Sequence, residues 1–300
     1  GHMLENRHTR IALYKRLAEV SGVTLIAPDK VGTIERNKRE VTLTTAGGHI
    51  ITAPLLLGID GRDSQVREWA KIKYTKWGYS QDGIVCAIEH ELSHGGVAHE
   101  RFLPSGPFAI LPLTGNRSSI VWTEKEHLTK TIMALPDRSF EDEVARRVGG
   151  FLGDVKVVGG RWAFPLTLQF AETFIQDRIA LVGDAAHGMH PIAGQGLNLA
   201  LRGVAALLEV LSDAFRAGQD LGSATTLRQY EQWRTIDTAT LLSVTDVLNR
   251  LFSNNILPVR AVRDLGLAAV NEMPVVKNFL MSHARGTVGD LPKLLRGERL

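Results

Sequence analysis

Hydrophobic positions change their spacing from one region of the chain to the next. Over residues 5–20 apolar residues recur near helical spacing, which predicts an amphipathic helix that ends at Gly22. Short β-rich segments follow at Val23–Ile26, Val31–Glu35, Val41–Thr44 and Ile50–Ala53. Gly47-Gly48 predicts a hairpin between the last two of them. The continuous apolar run Leu55–Ile59 is typical of a strand buried on both faces of a layered sheet.

The middle of the chain has the pattern of an antiparallel sheet. Turn residues separate strand-like segments, which we predict at Ile84–Glu91, Val97–Leu103, Phe108–Leu113, Ser118–Trp122, Val155–Val158 and Trp162–Leu168. A helix is predicted among them, at Phe140–Val148.

The last part of the chain is mainly helical. Arg178–Val182 has the pattern of a second buried strand and runs directly into Gly183-Asp184. Helices are then predicted at Leu197–Phe215, Thr225–Phe252 and Val259–Val270. Strands of two kinds are thus interleaved and helices close the chain. The sequence predicts a mixed α/β (α+β) fold with an inserted or adjoining antiparallel sheet.

Composition narrows the class of protein. The chain has 300 residues, 44% hydrophobic and 22% charged, which is typical of a globular protein. No apolar run approaches the roughly 18 residues that span a bilayer. The net charge of +3 is too small to favour a nucleic-acid partner. Anionic lipid headgroups remain candidate partners. Cys86 is the single cysteine and lies in an apolar run, so we predict a buried thiol in a protein of a reducing compartment.

The string from Leu181 to Ala200 carries the strongest chemical signal. A buried strand delivers Asp184 at its carboxyl end, where ligands of open α/β sheets bind, and Gly183 permits close approach to the backbone. The loop Pro191–Gly196 leads into a long helix whose amino end offers unpaired N–H groups and partial positive charge. A plain strand–loop–helix corner is the alternative. The ordered Gly-Asp, His-Pro and Gly-Gln-Gly motifs favour a cofactor site instead.

A second string, residues 57–67, repeats this arrangement. Asp60 and Gly61 follow a buried strand, and Ser64 is a candidate cap for a short helix. Arg67 is placed to reach a phosphate or carboxylate. Taken alone, the string favours an ordinary Asp-Gly turn with a solvated arginine.

In this order the two strings resemble fingerprints of the FAD-dependent aromatic hydroxylases, the single-component flavoprotein monooxygenases. Asp60-Gly61 resembles the fingerprint associated with the FAD pyrophosphate and NAD(P)H, and Gly183-Asp184 the one whose Asp contacts the FAD ribityl chain. The loop and helix start resemble the signature of the ubiquinone-biosynthesis hydroxylases, carried by His190, Pro191, Ile192, Ala193, Gly194, Gln195, Gly196, Leu197 and Asn198. Further similarity covers nearly the whole chain after residue 3.

The resemblance implies a reaction and a domain plan. NAD(P)H reduces FAD, and the reduced flavin uses O₂ to hydroxylate the ring of a polyprenylated phenol, so no catalytic side chain is expected. Residues 4–72 and 169–300 would form a Rossmann-like FAD-binding domain with carboxyl-terminal helices. Residues 73–168 would form an inserted antiparallel-sheet substrate domain. Residues 1–3 are typical of a tag remnant.

The chain departs from the family pattern at three points. Ala200 stands where the family usually has Gly, and Gly203 where it has Asp. The Gly-x-Gly-x-x-Gly unit that seats the ADP half of FAD is absent from the sequence. We therefore expect an amino-terminal truncation, by at least one βαβ unit of about 30 residues. A chain truncated in this way is expected to bind FAD weakly or not at all. It would also expose a sheet edge, so dimerisation through that edge is an alternative that the sequence leaves undecided.

The resemblance also gives aromatic candidates for the walls of a substrate pocket: Phe108, Trp122, Trp162 and Phe164. Ordinary core packing is the alternative for each of them. The pairs His187/His190 and His90/His94 have metal-like spacing. Since no cysteine is available beside them and the first pair belongs to the flavin loop, we predict no metal.

Two other functions stay open at this stage. One is a related flavin enzyme, such as another phenol hydroxylase or an isoprenoid reductase. The other is a non-catalytic module that binds a lipid or a protein partner, which the missing first fingerprint favours. For the leading interpretation we expect a polyprenylphenol substrate, other ubiquinone-biosynthesis proteins and a membrane surface as partners. The expected location is cytoplasmic and peripheral to the inner membrane.

Overall fold

The computed structural model describes residues 2–191, 194–252, 272–274, 278, 281 and 289–300. Its helices are α1 (Asn6–Glu19), α2 (Gln65–Trp69), α3 (Glu126–Met133), α4 (Asp137–Val148), α5 (Gly196–Arg216) and α6 (Ala224–Phe252). Its strands are β1 (Val31–Arg36), β2 (Val41–Thr45), β3 (Ile50–Ala53), β4 (Leu56–Gly58), β5 (Tyr74–His90), β6 (His99–Leu103), β7 (Gly106–Pro112), β8 (Arg117–Lys125), β9 (Val155–Ala171), β10 (Ile175–Gln176), β11 (Ile179–Leu181) and β12 (His187–Gly188).

The chain divides into two units. The first, here called the sheet unit, comprises Gly1–Ala27, Gly78–Leu166 and Arg250–Asn255. The second, the corner unit, comprises Pro28–Trp77, Thr167–Asn249 and Ile256–Leu300. The helix predicted at Val259–Val270 lies outside the described residues. No helix among the described residues is both long and apolar enough to cross a bilayer.

The sheet unit contains antiparallel strands in the order β9-β5-β8-β7-β6, which confirms the predicted antiparallel sheet. Strands β5 and β8 pair with Ile84 opposite Trp122 and Cys86 opposite Ile120. Because side chains alternate between faces, every second residue joins one apolar face, against which α4 packs. The buried cluster on this face is Ile84, Cys86, Ile88, Phe108, Ile110, Ile120, Trp122, Phe140, Val144, Val148 and Leu152. The prediction of a buried Cys86 is confirmed, and burial raises the pKa of its thiol to about 12.

The corner unit is built on a sheet of order β10-β11-β4, in which β11 runs parallel to β4. Strand β11 is fully buried, as predicted. Its core includes residues of α5 and α6, and the Tyr230 hydroxyl donates to the Leu181 carbonyl at 3.0 Å. The small antiparallel sheet β1-β2-β3 is also part of this unit, and the predicted hairpin at Gly47-Gly48 is confirmed between β2 and β3.

Four element predictions were wrong or incomplete. Val23–Ile26 is not a strand, because no described strand pairs with it and its side chains are exposed. The helix α1 forms but buries none of its residues, so the expected apolar face is not a buried one. Leu55–Ile59 is not buried on both faces, since Leu56 and Leu57 are only half-buried and Ile59 is 60% exposed. Helix α3 was not foreseen.

One further difference concerns β9, which joins two segments that the sequence separated. Gly159 lies inside this strand with a φ of +75°. Glycine adopts that conformation without steric cost, so the backbone passes the irregular position and continues as strand. The result is a strand of 17 residues that passes from the sheet unit into the corner unit.

Candidate functional site

The site predicted at Gly183-Asp184 lies where β11 ends in the corner unit. Gly183 begins a 3₁₀ turn with a φ of +62°. A Cβ atom at this position would lie 3.3 Å from the Cβ of Ala200 on α5. Backbone conformation and close helix packing therefore both favour glycine here. This close packing places the turn directly beside the first turns of α5.

Among the described residues, protein donors reach only one of the two oxygens of the Asp184 carboxylate. Its side chain is 41% exposed, and Oδ2 accepts a hydrogen bond from Arg62 Nε at 3.2 Å. No described residue donates to Oδ1. An exposed carboxylate oxygen at the carboxyl end of a parallel strand is suited to accept a hydrogen bond from a ligand hydroxyl.

Arg62 holds this corner together, and the sequence reasoning missed it. Besides Asp184, its guanidinium donates from Nη1 to the carbonyl and the hydroxyl of Thr167, at 3.0 and 3.1 Å. Its Nη2 donates to the Met189 carbonyl at 2.8 Å. Arg62 thereby ties the 183–185 turn to the end of β9 and to the loop before α5. Its position directly after Asp60-Gly61 was the only available signal.

Gln169 and Arg67 support the same turn from inside. Gln169 is buried, and its Nε2 donates to the carbonyls of Arg62 and Asp184, both at 2.9 Å. Arg67 is 2% exposed and donates to the carbonyls of Ala185 and Arg62, at 2.9 and 2.8 Å. The expectation that Arg67 reaches a phosphate or carboxylate was wrong, because α2 directs it into the corner. There Nη1 and Nη2 donate to backbone carbonyls, and the buried Nε has no described partner.

Asp60 caps α2. Its Oδ1 accepts from the Ser64 hydroxyl at 2.5 Å and its Oδ2 from the Val66 amide at 3.1 Å. The predicted cap by Ser64 is confirmed, since its hydroxyl accepts from the Arg67 amide at 3.0 Å. Gly61 follows with a φ of +83° and open space beside it. Both carboxylate oxygens of Asp60 are thus engaged by the helix that follows, and its predicted contact with a cofactor stays a prediction.

The loop before α5 brings the remaining predicted residues together. Pro191 is exposed, and its carbonyl accepts from the Gly194 amide at 2.9 Å. Gly194 has a φ of +61° with open space where a Cβ would stand. Helix α5 begins at Gly196, and the side chain of Gln195 before it makes no capping hydrogen bond to the helix.

The first turn of α5 is open to solvent. Leu197 is 56% exposed, and Asn198 Nδ2 donates to the Gln195 side chain at 3.4 Å. No described group accepts from the Gly196 or Leu197 amide. Those amides and the helix dipole form a partial positive charge beside the Gly183 turn.

Two buried histidines flank the corner. Burial lowers the pKa of His187 to about 4, assisted by the Arg234 guanidinium. Burial also lowers the pKa of His190 to about 4, with Arg62 contributing. Both imidazoles are therefore neutral at neutral pH. Among the described residues no group of three or more His, Cys, Asp or Glu side chains is arranged to hold a metal ion.

These histidines predict acid sensitivity. Their folded-state pKa values lie below the ordinary value of 6.5, so between about 6.5 and about 4 the unfolded chain binds more protons. The free energy of unfolding should fall across that window as the pH is lowered, by an amount on the order of a few kcal/mol. Urea unfolding at a series of pH values measures it. His187→Gln should flatten the slope, and His127→Gln, at an exposed position, is the control. An equal slope in all three proteins would refute the assignment.

The four aromatic pocket candidates fall into two pairs. Phe108 and Trp122 are fully buried in the core of the sheet unit, with Trp122 beside Phe140 of α4. Trp162 and Phe164 are 55% and 57% exposed. Ala163 between them packs against that core, so the exposed pair projects from the opposite face of the sheet. Of the four candidates, Trp162 and Phe164 alone therefore present aromatic surface to solvent.

Comparison with known proteins shows the family of the chain. A family model described as "FAD binding domain" matches residues 7–241. The ubiquinone hydroxylase UbiL of Rhodospirillum rubrum is 48% identical over 300 residues, covering 99% of this chain and 70% of that protein. The 3-demethoxyubiquinol 3-hydroxylase of Escherichia coli is 36% identical over 286 residues, covering 95% of this chain and 73% of that protein.

Solved structures share the fold. The p-nitrophenol 4-monooxygenase PnpA of Pseudomonas putida superimposes with a TM-score of 0.76 at 19% identity, over 93% of this chain and 71% of that one. The anhydrotetracycline hydroxylase OxyS of Streptomyces rimosus gives a TM-score of 0.73 at 22% identity. That match covers 97% of this chain and 58% of the OxyS chain, so the chain spans less than two thirds of that protein.

Fold and corner together define a flavoprotein of the FAD-binding-domain class. The resemblance noted in the sequence is confirmed at family level by relatives that match over nearly the whole chain. The chain belongs to the FAD-dependent hydroxylase family of ubiquinone biosynthesis.

Proposed function

We propose that this chain forms the ribityl and ring end of an FAD site and takes part in hydroxylating the aromatic ring of a polyprenylated phenol in ubiquinone biosynthesis. The observation that carries the proposal is the Asp184 carboxylate. Arg62 holds one of its oxygens, and the other has no described partner at the end of β11. The names of the relatives supply the substrate class.

The residues of the corner fit a flavin. Asp184 Oδ1 is free of described donors and suits a ribityl hydroxyl. The glycines Gly61 and Gly194 both have open space where a side chain would stand. The uncapped amino end of α5, at Gly196, suits a ligand atom that carries negative charge.

Each part of the corner has a separate task. When bound, FAD reduced by NAD(P)H supplies the activation of O₂ that ring hydroxylation requires. Asp184 binds and orients the ribityl chain, and Arg62 fixes the carboxylate in place. The amides at the start of α5 stabilise negative charge on the ring. The neutral His187 and His190 pack below this surface without adding a charge of their own.

For the substrate we propose the sheet unit, within residues 73–168. Trp162 and Phe164 present exposed apolar surface on the face that α4 leaves uncovered. A prenylated phenol offers an aromatic ring and an apolar tail, which such a surface binds by burying apolar area.

Ring hydroxylation is testable directly. The purified chain is incubated with added FAD, NADH or NADPH, and a short-chain polyprenylphenol under ¹⁸O₂. The expected result is a product that carries one labelled oxygen, detected by mass spectrometry. NAD(P)H oxidation that yields only hydrogen peroxide, with no labelled product at any FAD concentration, would contradict the proposal.

Flavin binding gives a second test through Asp184. We expect Asp184→Ala to weaken FAD binding by roughly tenfold or more, because a hydrogen bond to a charged group contributes about 1.5–3 kcal/mol. Titration by quenching of flavin fluorescence measures the dissociation constant. Asp142→Ala is the matched control, since Asp142 is exposed on α4 and makes no described hydrogen bond. Equal dissociation constants for both variants would remove Asp184 from the site.

A further inference from the structure

The sheet unit contains an open pocket that the proposed flavin and substrate sites do not use. Its volume is about 530 Å³. It is lined by residues of β6, the loop after it, the end of β8, α3 and the last turn of α4: Arg101, Leu103, Pro104, Ser105, Glu124, Lys125, His127, Leu128, Arg146 and Arg147. None of these residues belongs to the Asp184 corner or to the exposed Trp162–Phe164 surface.

Positive charge dominates the lining. Four cationic side chains face one carboxylate, that of Glu124. Glu124 is 4% exposed and already engaged by protein donors. The Trp122 indole N–H lies 3.3 Å from its Oε2, the Lys125 amide donates to Oε1 at 2.9 Å, and Arg147 lies 3.6 Å away. Glu143 of α4, outside the lining, pairs with two of the four cations, so two carboxylates stand against four positive charges and the pocket keeps excess positive charge.

Two of the cations are held in fixed positions by the protein. The Arg147 guanidinium stacks on the Trp122 ring, 3.9 Å from its centroid, and pairs with Glu143 of its own helix. Arg101 Nη1 donates to the carbonyls of Arg147 and Val148, at 2.6 and 2.8 Å. This anchors Arg101 at the carboxyl end of α4, and its Nη2 and Nε make no described hydrogen bond.

The other two cations stand at the rim. The Lys125 ammonium makes no ion pair with any described residue, and its side chain is exposed. Arg146 is 67% exposed and pairs with Glu143, which Arg147 also contacts. Lys125 and Arg101 thus keep donors for a ligand, and Arg146 adds charge close by.

Apolar residues complete the lining and narrow the class of ligand. Leu103, Pro104 and Leu128 contribute carbon surface, and Leu128 is 41% exposed. A wall of this kind favours a ligand whose anionic group is attached to an apolar stem. Arginine donors in a planar fork together with a lysine point charge suit the oxygens of a phosphate.

We propose that this pocket binds a phosphate group carried on an apolar stem, separately from the flavin. A phospholipid headgroup and a soluble phosphate ester both present this chemistry. The anchored Arg101 and the free Lys125 ammonium bind the phosphate oxygens. Leu103 and Leu128 contact the first carbons of the stem. The chain would thereby hold a second, anionic ligand on its sheet unit.

The test compares two double variants of equal charge. In the pocket variant, Lys125→Gln is combined with Arg146→Gln. In the control variant, Lys130→Gln on α3 is combined with Arg138→Gln on α4; both control residues are exposed and outside the lining. Each variant loses two positive charges, one from α4 and one from α3 or the residue directly before it. A difference between them therefore reports the pocket and not the overall electrostatic field.

Three probes distinguish the source of the phosphate. They are inorganic phosphate, dihexanoylphosphatidic acid below its micelle concentration, and phosphatidylcholine vesicles with or without phosphatidylglycerol. The short-chain lipid is expected to bind the unmodified chain, and binding should weaken roughly tenfold or more in the pocket variant while the control variant is unchanged. The expected loss reflects one or two charge-assisted hydrogen bonds.

The results with vesicles and with the soluble probes show whether the bound phosphate belongs to a lipid headgroup or to a soluble ester. Binding to phosphatidylglycerol vesicles that the pocket variant loses assigns a lipid headgroup. Binding of the soluble probes without the vesicles assigns a soluble phosphate ester. The proposal is overturned if no probe binds the unmodified chain, or if both double variants lose binding equally. Lys125→Gln alone, which removes no described side-chain contact, keeps the comparison valid if the double variant unfolds.

Discussion

Replacing Arg62 with methionine is expected to lower the free energy of unfolding by about 3 kcal/mol. A hydrogen bond that involves a charged group contributes about 1.5–3 kcal/mol, and Arg62 makes four of them, to Asp184, Thr167 and Met189. Its side chain is 35% exposed, so solvent screens part of each contribution and the sum is smaller than four full bonds. Urea unfolding followed by circular dichroism measures the change.

The same substitution should weaken FAD binding, because Asp184 loses the donor that orients its carboxylate. The matched control is Arg228→Met, at an exposed arginine of α6 in the same unit that makes no described ion pair. Arg62→Lys should recover part of the stability, since a lysine reaches one partner but does not reproduce the planar fork. An unfolding free energy for Arg62→Met that matches Arg228→Met would show that the clamp contributes nothing.

Gly183→Ala is expected to be destabilising by about 2–3 kcal/mol. A left-handed conformation costs a non-glycine residue about 1–2 kcal/mol, and Gly183 has a φ of +62°. The added methyl group would also press on Ala200, 3.3 Å away, and overpacking of this kind costs roughly 1 kcal/mol or more. Both terms act at the turn that presents Asp184, so we also expect weaker flavin binding.

A double-mutant cycle separates the two terms. Ala200→Gly alone should cost about 1 kcal/mol of helix propensity in α5. Combined with Gly183→Ala it removes the methyl contact, so the pair should be less destabilised than the sum of the single variants by about 1 kcal/mol. The left-handed strain remains in the double variant. Strict additivity in urea unfolding would show that the contact between residues 183 and 200 carries no energy.

This contact also gives a physical meaning to one departure from the family pattern. Where the family usually has glycine, Ala200 fills the space beside Gly183. The second departure, Gly203, lies where a Cβ would stand 3.7 Å from the Tyr230 hydroxyl. That hydroxyl donates to the Leu181 carbonyl, directly before the turn. Both departures therefore lie against the strand and turn that position Asp184.

Much of the fold was predictable because local pattern and tertiary role agree. The alternation in β5, β7 and β8 matches a sheet with one helix-covered face, and the apolar run of β11 matches a fully buried strand. The prediction failed at Val23–Ile26, where strand propensity has no partner strand to act on among the described residues. A strand forms only when a second segment pairs with it. The residues of one segment therefore do not show whether a partner strand is present.

The candidate site was predictable in its backbone and less so in its side chains. The glycines at the strand ends and in the loop before α5 predict turns in any context, because the conformational freedom of glycine is a local property of the backbone. The partner of a charged side chain is not local. Arg67 had the sequence context of an anion ligand and is used inside the corner. Arg62 had only its position after Asp60-Gly61 as a signal, and it holds the corner together.

The sequence by itself determined the class of this protein, the Gly183-Asp184 turn, the capping of α2 by Ser64 and most of the order of strands and helices. These depend on residue type and spacing within a few residues of each other. Only the tertiary structure decided which carboxylate oxygen stays open, which arginine holds it and which aromatic residues stay exposed. The first two outcomes depend on contacts between residues more than 100 positions apart, such as Arg62 with Asp184, separated by 122. The third depends on how the strands and α4 pack together in the sheet unit.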